Sequence, residues 1–290
     1  MGTSAETFQL SLDAAEIYES KFVPALFGEW APHLLDAAAV HAGQVVLDVA
    51  CGTGVVARAA VERLAGNGAV VGVDLNEAML TVARRLSRDV GWRQGDVCAL
   101  PFSDASFDVV LCQAGLMFFP DPAQALREMA RVARDDGTVA IQVWASLAEQ
   151  PAYRPFIEVA ARHAGPDAVS LLSAYWVLGD LEFVCSLLDS AGLDVTAATT
   201  RLGTARFESI AELVRIEVES TPLIDRIDAD VYGKILADAG EALAEFRTSE
   251  GRAEIPIAGH LIAGRKRPPP RDIAPAVDSP ALHPKGPPGP

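Results

Sequence analysis

The 290-residue chain has few basic residues, because 24 Lys and Arg stand against 39 Asp and Glu for a net charge of −15. A protein with this charge is repelled by a phosphate backbone and by an anionic membrane surface, so we expect no nucleic-acid partner. No apolar run approaches the ~20 residues that a membrane helix needs, and the N-terminus lacks the basic-then-apolar pattern of a signal peptide. These absences predict a cytoplasmic protein without membrane insertion.

Cysteine is also scarce. The four cysteines are widely separated and form no CxxC pair, so we expect reduced thiols and no metal site. Half of the residues are apolar, which is enough for a sizeable core. Proline is concentrated in residues 268–290, which hold nine and are predicted to form a disordered tail outside the fold. Residues 1–10 are interpreted as a flexible leader.

The body of the chain alternates short β-rich runs with segments of helical periodicity. Strands are predicted at 45–49, 69–74, 92–96, 107–113 and 138–144. Helices are predicted between them at 55–65, 77–88 and 122–134. This alternation is typical of an α/β fold in which right-handed crossovers build a parallel sheet covered on both faces. Before the first strand, residues 11–40 are predicted to form two short amphipathic helices, interrupted at Pro24 and Pro32.

The alternation changes after residue 144. Helices are predicted at 150–164, 167–176 and 181–190, and strands at 193–200 and 255–263. The segments 150–176 and 207–247 are apolar and rich in aromatic residues, and we interpret them as a helical lid that encloses a flat or lipophilic molecule. Within the second segment, Phe207, Ile210 and Leu213 are expected to govern the choice of that molecule.

The stretch Val45–Gly54 reads VVLDVACGTG and is followed at once by a helical pattern. A strand, a glycine turn and a helix in this order form a cradle for a nucleotide, because the backbone can approach the ligand closely. Asp48 lies inside the apolar run and must be hydrogen-bonded there. Asp74 ends the next strand, twenty residues beyond Gly54, where a carboxylate can accept hydrogen bonds from a ribose. Alternatively Asp74 caps the following helix, although Asn76 is the better candidate for that role.

Four stretches resemble, in order, the signatures of class I S-adenosylmethionine-dependent methyltransferases. They are LDVACGTG, VVGVDLNEAML, GDVCALPF and FDVVLCQAGLMFFPDPAQALREMARVARDDGTVAIQVW. Within that superfamily the chain is most similar to the ubiquinone/menaquinone-biosynthesis type (methyltransferase type 11). The resemblance implies S-adenosyl-L-methionine as cofactor and a Rossmann-like, doubly wound sheet of seven strands, six parallel and one antiparallel. It implies a methyltransferase domain at 11–267, with N-terminal helices at 11–40, the cofactor-binding core at 45–144 and lid insertions.

The resemblance places Ala50, Gly52 and Gly54 beneath the methionine part of the cofactor. It implies that Gln113, at the end of the fourth strand, faces the sulfonium and that Tyr18 touches the cofactor. Many family members carry glycine where this chain has Ala50. The alternative for the glycines is an ordinary tight turn, and for Tyr18 it is packing on the apolar face of the first helix.

The adenosine part of the cofactor would lie against the next two strand ends. The resemblance implies that Asp74 holds the ribose, with Leu75 and Met79 beside the adenine and with Asp96 and Val97 at its edge. Met79 is equally compatible with a place in the core, and Asp96 with a solvated loop.

The sequence says less about the identity of the methyl acceptor than about the cofactor. Methyl transfer from a sulfonium needs alignment and exclusion of water, and it needs a general base only when the attacking atom must lose a proton. No catalytic residue is evident, and His163 and His260 are weak candidates because they fall in or near the lid. We expect a small-molecule acceptor, through O- or C-methylation of a phenol, a quinone or a polyketide-like compound. The oligomeric state is open, with a homodimer among the alternatives.

Two other functions are compatible with the sequence. The chain can bind S-adenosylmethionine as a non-catalytic regulatory subunit, because the motifs report the cofactor and not turnover. A nicotinamide-dependent oxidoreductase is the other alternative, but the third glycine of its GxGxxG fingerprint is missing.

Overall fold

The computed structural model describes residues 10–219, 221 and 223–268. These residues build a seven-stranded sheet in the order β3-β2-β1-β4-β5-β7-β6. The strands are β1 Val45–Val49, β2 Ala69–Asp74, β3 Val90–Gln94, β4 Phe107–Gln113, β5 Ala133–Trp144, β6 Leu193–Phe207 and β7 Ala253–Lys266. Only β7 runs antiparallel to its two neighbours, β5 and β6, so six of these strands point one way. The predicted α/β fold with one antiparallel strand is confirmed.

Ten α-helices lie in the described part of the chain. They are α1 Leu12–Ile17, α2 Trp30–Ala37, α3 Val55–Leu64, α4 Glu77–Leu86, α5 Pro122–Val132, α6 Tyr153–Ala164, α7 Asp167–Leu172, α8 Leu181–Ser190, α9 Ile210–Glu219 and α10 Ala229–Ala242. Right-handed crossovers place α3 and α4 on one face of the sheet and α5 on the other, because the strand order reverses direction beside β1. Helix α2 packs with α3, and α8 packs with α5. Both faces are therefore covered.

Helix starts follow the sequence closely. The Asn76 side chain accepts from the N–H groups of Ala78 and Met79 and so caps α4. Asp121 caps α5, whose first residue is Pro122. Free N–H groups at a helix start need acceptors, and short polar side chains supply them locally.

The N-terminal helices differ from the prediction. Pro24 does not interrupt them, since it lies inside a π-helical segment, Tyr18–Phe27, that continues α1 directly. The wider π turn ends with the Gly28 N–H donating to the Val23 carbonyl, five residues back, at 2.8 Å. A π turn skips one residue of the ordinary hydrogen-bond pattern, so a residue without an N–H is tolerated there.

The last two strands are longer than predicted. β6 and β7 pair antiparallel from Leu193–Lys266 to Phe207–Ala253, well beyond the edge of the parallel strands. Pairing between two distant segments extends them past the point where each alone shows strand periodicity. Residues 208–252, with α9 and α10, connect them at the carboxyl end of the sheet, where α10 packs on α6.

No helix in the described ranges is long and apolar enough to cross a membrane. The predicted leader, apart from Leu10, and the predicted tail, apart from Pro268, lie outside the described residues. The predicted domain boundaries remain predictions.

Candidate functional site

The glycine turn, residues 50–54, joins β1 to α3 at the carboxyl edge of the sheet. Its backbone is left-handed at three positions, with φ of 52° at Ala50, 54° at Gly52 and 91° at Gly54. Glycine adopts this region freely, whereas alanine does so at a cost of ~1–2 kcal/mol. The turn therefore presents main chain to the crevice, and Ala50 is strained where glycine would not be.

Asp74 is the best connected of the predicted cofactor residues. One carboxylate oxygen accepts from the Gly52 N–H at 2.8 Å, and the other accepts from the Asn76 N–H at 2.8 Å. Burial raises the pKa of this carboxyl, and the hydrogen bonds from Asn76 and Gly52 oppose that shift. Asp74 thus ties the end of β2 to the glycine turn, with each oxygen keeping further capacity to accept hydrogen bonds.

Gly54 has a packing role that the sequence analysis missed. A Cβ added there would lie 2.2 Å from the Trp92 ring of β3, and one added at Gly72 would lie 2.5 Å from it. The indole is fixed by its Nε1–H, which donates to the Ser87 carbonyl at 3.0 Å. Trp92 therefore needs glycine at both positions, whatever Gly54 contributes to a ligand.

The residues predicted to hold the adenine line the next two strand ends. Leu75 is exposed, while Met79 is buried with Ala15 of α1. Asp96 follows β3 and accepts from the Cys98 N–H at 2.8 Å, which caps the short turn that begins with the buried Val97. The capping role of Asp96 is a finding, and the adenine contacts remain predictions.

The N-terminal segment closes over the glycine turn. The Tyr18 ring lies 3.7 Å from the position that a Cβ on Gly52 would take. Arg58 of α3 fastens the segment, because it donates to the Thr53 carbonyl at 2.6 Å and to the Glu19 carboxylate at 2.8 Å. Both Tyr18 and the turn are thereby held at the same edge of the sheet.

Gln113 ends β4 on this edge. Its amide Nε2 donates to the Phe27 carbonyl at 3.0 Å, while its Oε1 is buried without a partner among the described residues. The Thr53 hydroxyl is a second buried polar atom without such a partner. Buried polar atoms normally have partners, so both of these atoms are available to bind a ligand or a water molecule.

An aromatic cavity adjoins this edge, and we refer to its wall as the aromatic cage. The cage consists of Phe22, Leu26, Phe27, Trp144, Tyr153, Tyr175, Trp176, Glu217 and Ile257. Six of these nine side chains are aromatic. The space they enclose is about 20 Å³, which is enough for roughly one water molecule. A larger ligand therefore requires the side chains around this space to move outward.

Tyr18 connects the aromatic cage with the glycine turn. Its ring stacks on Phe22 and Phe27 of the cage, with centroid distances of 5.9 and 5.3 Å. Burial, helped by the negative field of nearby acids such as Asp74, raises the pKa of the Tyr18 hydroxyl, so it stays protonated. Phe118 packs edge-on against Tyr175 at 5.4 Å and so borders the cage from the β4 side.

Glu217 is the one charged side chain of the cage, and sequence reasoning missed it. It is 8% exposed, and burial raises the pKa of its carboxyl to about 7, with the nearby Tyr153 hydroxyl acting in the opposite direction. A signal was present in the sequence. Glu217 lies seven residues after Ile210 and four after Leu213, so it continues the apolar stripe of α9.

The two histidine candidates lie elsewhere. Both ring nitrogens of the buried His260 are engaged, with Thr200 Oγ1 at 2.9 Å and the Gly179 carbonyl at 3.0 Å. His163 contacts Asp238 at 2.7 Å and joins α6 to α10. Neither belongs to the aromatic cage, so the geometry gives both a structural role.

The three residues expected to govern the choice of acceptor also lie away from the aromatic cage. Phe207, Ile210 and Leu213 are buried in the main core and do not line the aromatic cage. The prediction took the most apolar positions of the lid, but those positions pack inward. The face of α9 that reaches the cage carries Glu217.

These features fit S-adenosyl-L-methionine. The glycine turn offers close backbone approach, Asp74 offers carboxylate acceptors one strand away, and Gln113 has an unsatisfied oxygen between them and the cage. A ligand that lies along this edge would reach from Asp74 to the aromatic cage, past Tyr18.

Comparisons with known proteins agree with this arrangement. Residues 47–141 match the methyltransferase-domain family. The demethylmenaquinone methyltransferase of Lactobacillus johnsonii is 39% identical over 108 residues, which are 35% of this chain and 44% of the relative. The ubiquinone/menaquinone biosynthesis C-methyltransferase of Idiomarina loihiensis is 39% identical over 118 residues, 39% of this chain and 47% of the relative. The chain spans about half the length of these curated relatives, and the predicted family resemblance is confirmed.

Solved structures extend the likeness beyond that segment. A Bacillus halodurans protein assigned as a methyltransferase matches 82% of this chain and 99% of its own, with a TM-score of 0.57 and 23% identity. The phosphoethanolamine N-methyltransferase 2 of Haemonchus contortus, in complex with S-adenosyl-L-methionine, matches 90% of this chain and 58% of its own, with a TM-score of 0.56 and 18% identity. These identities show the fold, which is that of class I methyltransferases.

Proposed function

Since residues 47–141 match the methyltransferase-domain family, we propose that the chain transfers a methyl group from S-adenosyl-L-methionine to a small, apolar or aromatic acceptor. The observation that carries the proposal is the juxtaposition of the glycine turn and Asp74 with the aromatic cage, joined by Tyr18. One side suits a nucleoside cofactor and the other a flat acceptor. The quinone-biosynthesis relatives support an acceptor with a quinol or phenol ring.

In this proposal Gly52, Gly54 and Ala50 hold the methionine part of the cofactor, and Asp74 holds its ribose. Leu75, Met79, Asp96 and Val97 surround the adenine, and Gln113 faces the transferring group. The bound cofactor supplies a methyl group already activated by the positive charge on sulfur.

The protein's own contribution is alignment and the exclusion of water. The aromatic cage stacks on the acceptor ring, and the lid segments 150–176 and 207–247 close over it. Tyr18 stands between the two ligands as a neutral hydrogen-bond donor. The four cysteines are free thiols, which supports the proposed cytoplasmic location.

Thermal unfolding with candidate cofactors tests the first half of the proposal. S-adenosylhomocysteine at about 100 times its dissociation constant is expected to stabilise the protein by about 2.7 kcal/mol, a rise in Tm of roughly 5–10 °C. NAD at the same concentration is the matched control and is expected to leave Tm unchanged. Stabilisation by NAD alone would instead identify an oxidoreductase.

Incubation with S-adenosylmethionine carrying a deuterated methyl group tests the second half. Phenols, quinols and enolic polyketide fragments form the acceptor panel, and mass spectrometry detects the labelled product. Labelling of a member of this panel is the expected result. Binding of S-adenosylhomocysteine without labelling of any member would favour the non-catalytic regulatory subunit.

A further inference from the structure

Glu217 is buried at an energetic cost, because burial takes its carboxylate out of water. A carboxylate taken out of water requires hydrogen-bond donors or a counter-charge, and the other eight residues of the aromatic cage include no cation. The nearest donor is the Tyr153 hydroxyl, which lowers the pKa of Glu217 but forms no hydrogen bond of normal geometry with any described residue. A ligand that carries a hydroxyl group would add a hydrogen-bond donor to this carboxylate.

Two polar atoms of the cage are unsatisfied. The Tyr153 hydroxyl and the Trp176 Nε1–H are buried without partners among the described residues. Tyr153 is 3% exposed and Trp176 is 7% exposed. One carboxylate acceptor and two donors, set in a wall of aromatic rings, match a flat molecule that carries a hydroxyl hydrogen to donate and oxygen lone pairs to accept.

We propose that Glu217 binds the acceptor hydroxyl and takes its proton, so that this chain methylates oxygen. The inference rests on the proposed methyltransferase function. The acceptor O–H bond breaks and a new O–H bond forms on Glu217. The electron pair left on the acceptor oxygen would then form the bond to the methyl carbon, while the bond between that carbon and the cofactor sulfur would break, with its electron pair remaining on sulfur to leave S-adenosylhomocysteine. The proton leaves Glu217 for solvent once the product has gone.

The groups that face Glu217 do not compete for this proton. Tyr153 on α6 and Tyr175 in the turn 174–176 are the titratable groups around it, and burial raises the pKa of both above the usual tyrosine range. Both remain protonated at neutral pH and act as donors only. The cage therefore contains one proton acceptor at neutral pH.

Binding of 4-nitrophenol to the S-adenosylhomocysteine-bound protein tests the inference without turnover. At a pH where free 4-nitrophenol and free Glu217 are both ionised, binding requires the uptake of one proton. In the complex, the phenol oxygen and a carboxylate oxygen of Glu217 share that proton. The dissociation constant of the wild type is therefore expected to rise about tenfold per pH unit. In Glu217→Gln it is expected to be nearly independent of pH over the same range.

Glu212→Gln is the matched control. Glu212 lies on the same helix and is similarly buried, but it faces Lys21 and the Glu208 N–H instead of the cage. This variant is expected to keep the wild-type pH dependence. Equal pH dependence in the wild type and in Glu217→Gln would overturn the proposal, as would a failure of 4-nitrophenol to bind while S-adenosylhomocysteine binds.

Calorimetry of the wild type alone covers the case in which Glu217→Gln fails to fold. Titration with 4-nitrophenol in two buffers of different ionisation enthalpy counts the protons taken up, with one expected and none contradicting the proposal. With a phenol that is turned over, kcat of Glu217→Gln is expected to fall roughly 10²- to 10⁴-fold. A wild type that does not bind S-adenosylhomocysteine would instead refute the methyltransferase function itself.

Discussion

At the scale of single residues, Asp74 has a structural role that is compatible with the ribose contact proposed for it. Its carboxylate supports the backbone of the glycine turn through Gly52 and the start of α4 through Asn76. The same carboxylate stands at the crevice, where the family resemblance places the ribose. A structural contribution from Asp74 therefore does not argue against a cofactor contact.

Asp74→Ala is expected to weaken S-adenosylhomocysteine binding roughly 30- to 1,000-fold, through loss of about 2–4 kcal/mol of charge-assisted hydrogen bonding. It is also expected to cost about 1–3 kcal/mol of folding stability, because two backbone N–H groups lose their acceptor. Asp74→Asn should be milder in both respects. Calorimetric titration and thermal unfolding of the same variants measure the two effects.

The control is Asp121→Ala, which removes the cap of α5 and leaves the hydrogen bonds of Asp74 intact. That variant should lose about 1 kcal/mol of stability and keep normal affinity. Normal affinity in Asp74→Ala would remove the ribose contact from the proposal.

The role of a single residue can be predicted from the sequence when its interaction partners are close to it in the chain. Asn76 and Asp121 cap helices through hydrogen bonds to residues two or three positions away, so their roles follow from the sequence. Glu217 acquires its role from Tyr153 and Trp144, which belong to other elements. No local pattern identifies the partners of a carboxylate on an apolar helix face.

At the scale of elements, the N-terminal segment is part of the site and not a passive cover. Arg58 joins Glu19 of that segment to the Thr53 carbonyl of the glycine turn. Gln113 joins Phe27 of the same segment to the end of β4. Two strand ends are thus fastened to one helical element.

Arg58→Met removes the first of these connections and keeps the aliphatic stem of the side chain. We expect a loss of about 1–2 kcal/mol in folding stability and a decrease of roughly tenfold in S-adenosylhomocysteine affinity, because Tyr18 and the glycine turn are no longer held together. Arg63→Met on the same helix is the control, since Arg63 pairs with the exposed Asp36. If both variants bind alike, the Arg58 connection does not shape the site.

The observed boundaries of helices and strands agree with the predicted ones where the sequence pattern is strong. They differ where hydrogen bonding between strands sets the boundary. α8 and β2 begin and end as predicted, because both are flanked by residues that favour the start and the end of an element. β3 ends at Gln94, so Gly95 and Asp96 form a loop beyond the strand instead of its last residues. The β6–β7 hairpin is longer than either periodic run because each strand supplies hydrogen bonds to the other.

At the scale of the whole molecule, the aromatic cage, where we propose that the acceptor binds, is built from parts that are remote in the chain. Phe22, Trp144 and Glu217 come from the N-terminal segment, a strand end and the lid, and only the folded sheet brings them together. The proposed cofactor side of the site lies within residues 45–144, apart from Tyr18, and its residues were predicted from sequence motifs. The proposed acceptor side has no sequence motif. The sequence therefore predicted the segments of a lid but not the individual residues that line the aromatic cage.

The pH dependence of stability is a property of the whole molecule, to which Asp48 contributes. Asp48 is buried under α3, where its carboxylate accepts from the Ala57 N–H at 2.9 Å. Burial raises its pKa to about 8 in the folded protein, against about 4 in the unfolded chain. Between these values the folded state holds a proton that the unfolded state has released. The free energy of unfolding therefore falls as pH rises from 4 to 8.

Glu217 and Asp74 act in the same direction, because burial raises both of their pKa values. Glu128 acts in the opposite direction, because its hydrogen bond with Arg131 lowers its pKa. A single substitution at Asp48 should therefore reduce the pH dependence without abolishing it.

We expect Asp48→Asn to be more stable than the wild type at pH 8 by roughly 1–3 kcal/mol, because the amide oxygen still accepts from Ala57 and no buried charge has to form. At pH 5, where the carboxyl is protonated, the difference should shrink or reverse, since the buried amide brings two donors that need partners. Thermal unfolding at both pH values measures the change, with the exposed Asp36→Asn as the control that should leave the pH dependence intact. An Asp48→Asn variant that is less stable than the wild type at pH 8, with the same slope against pH, would show that Asp48 is ionised in the folded protein and that the Ala57 N–H is sufficient to hold the charge.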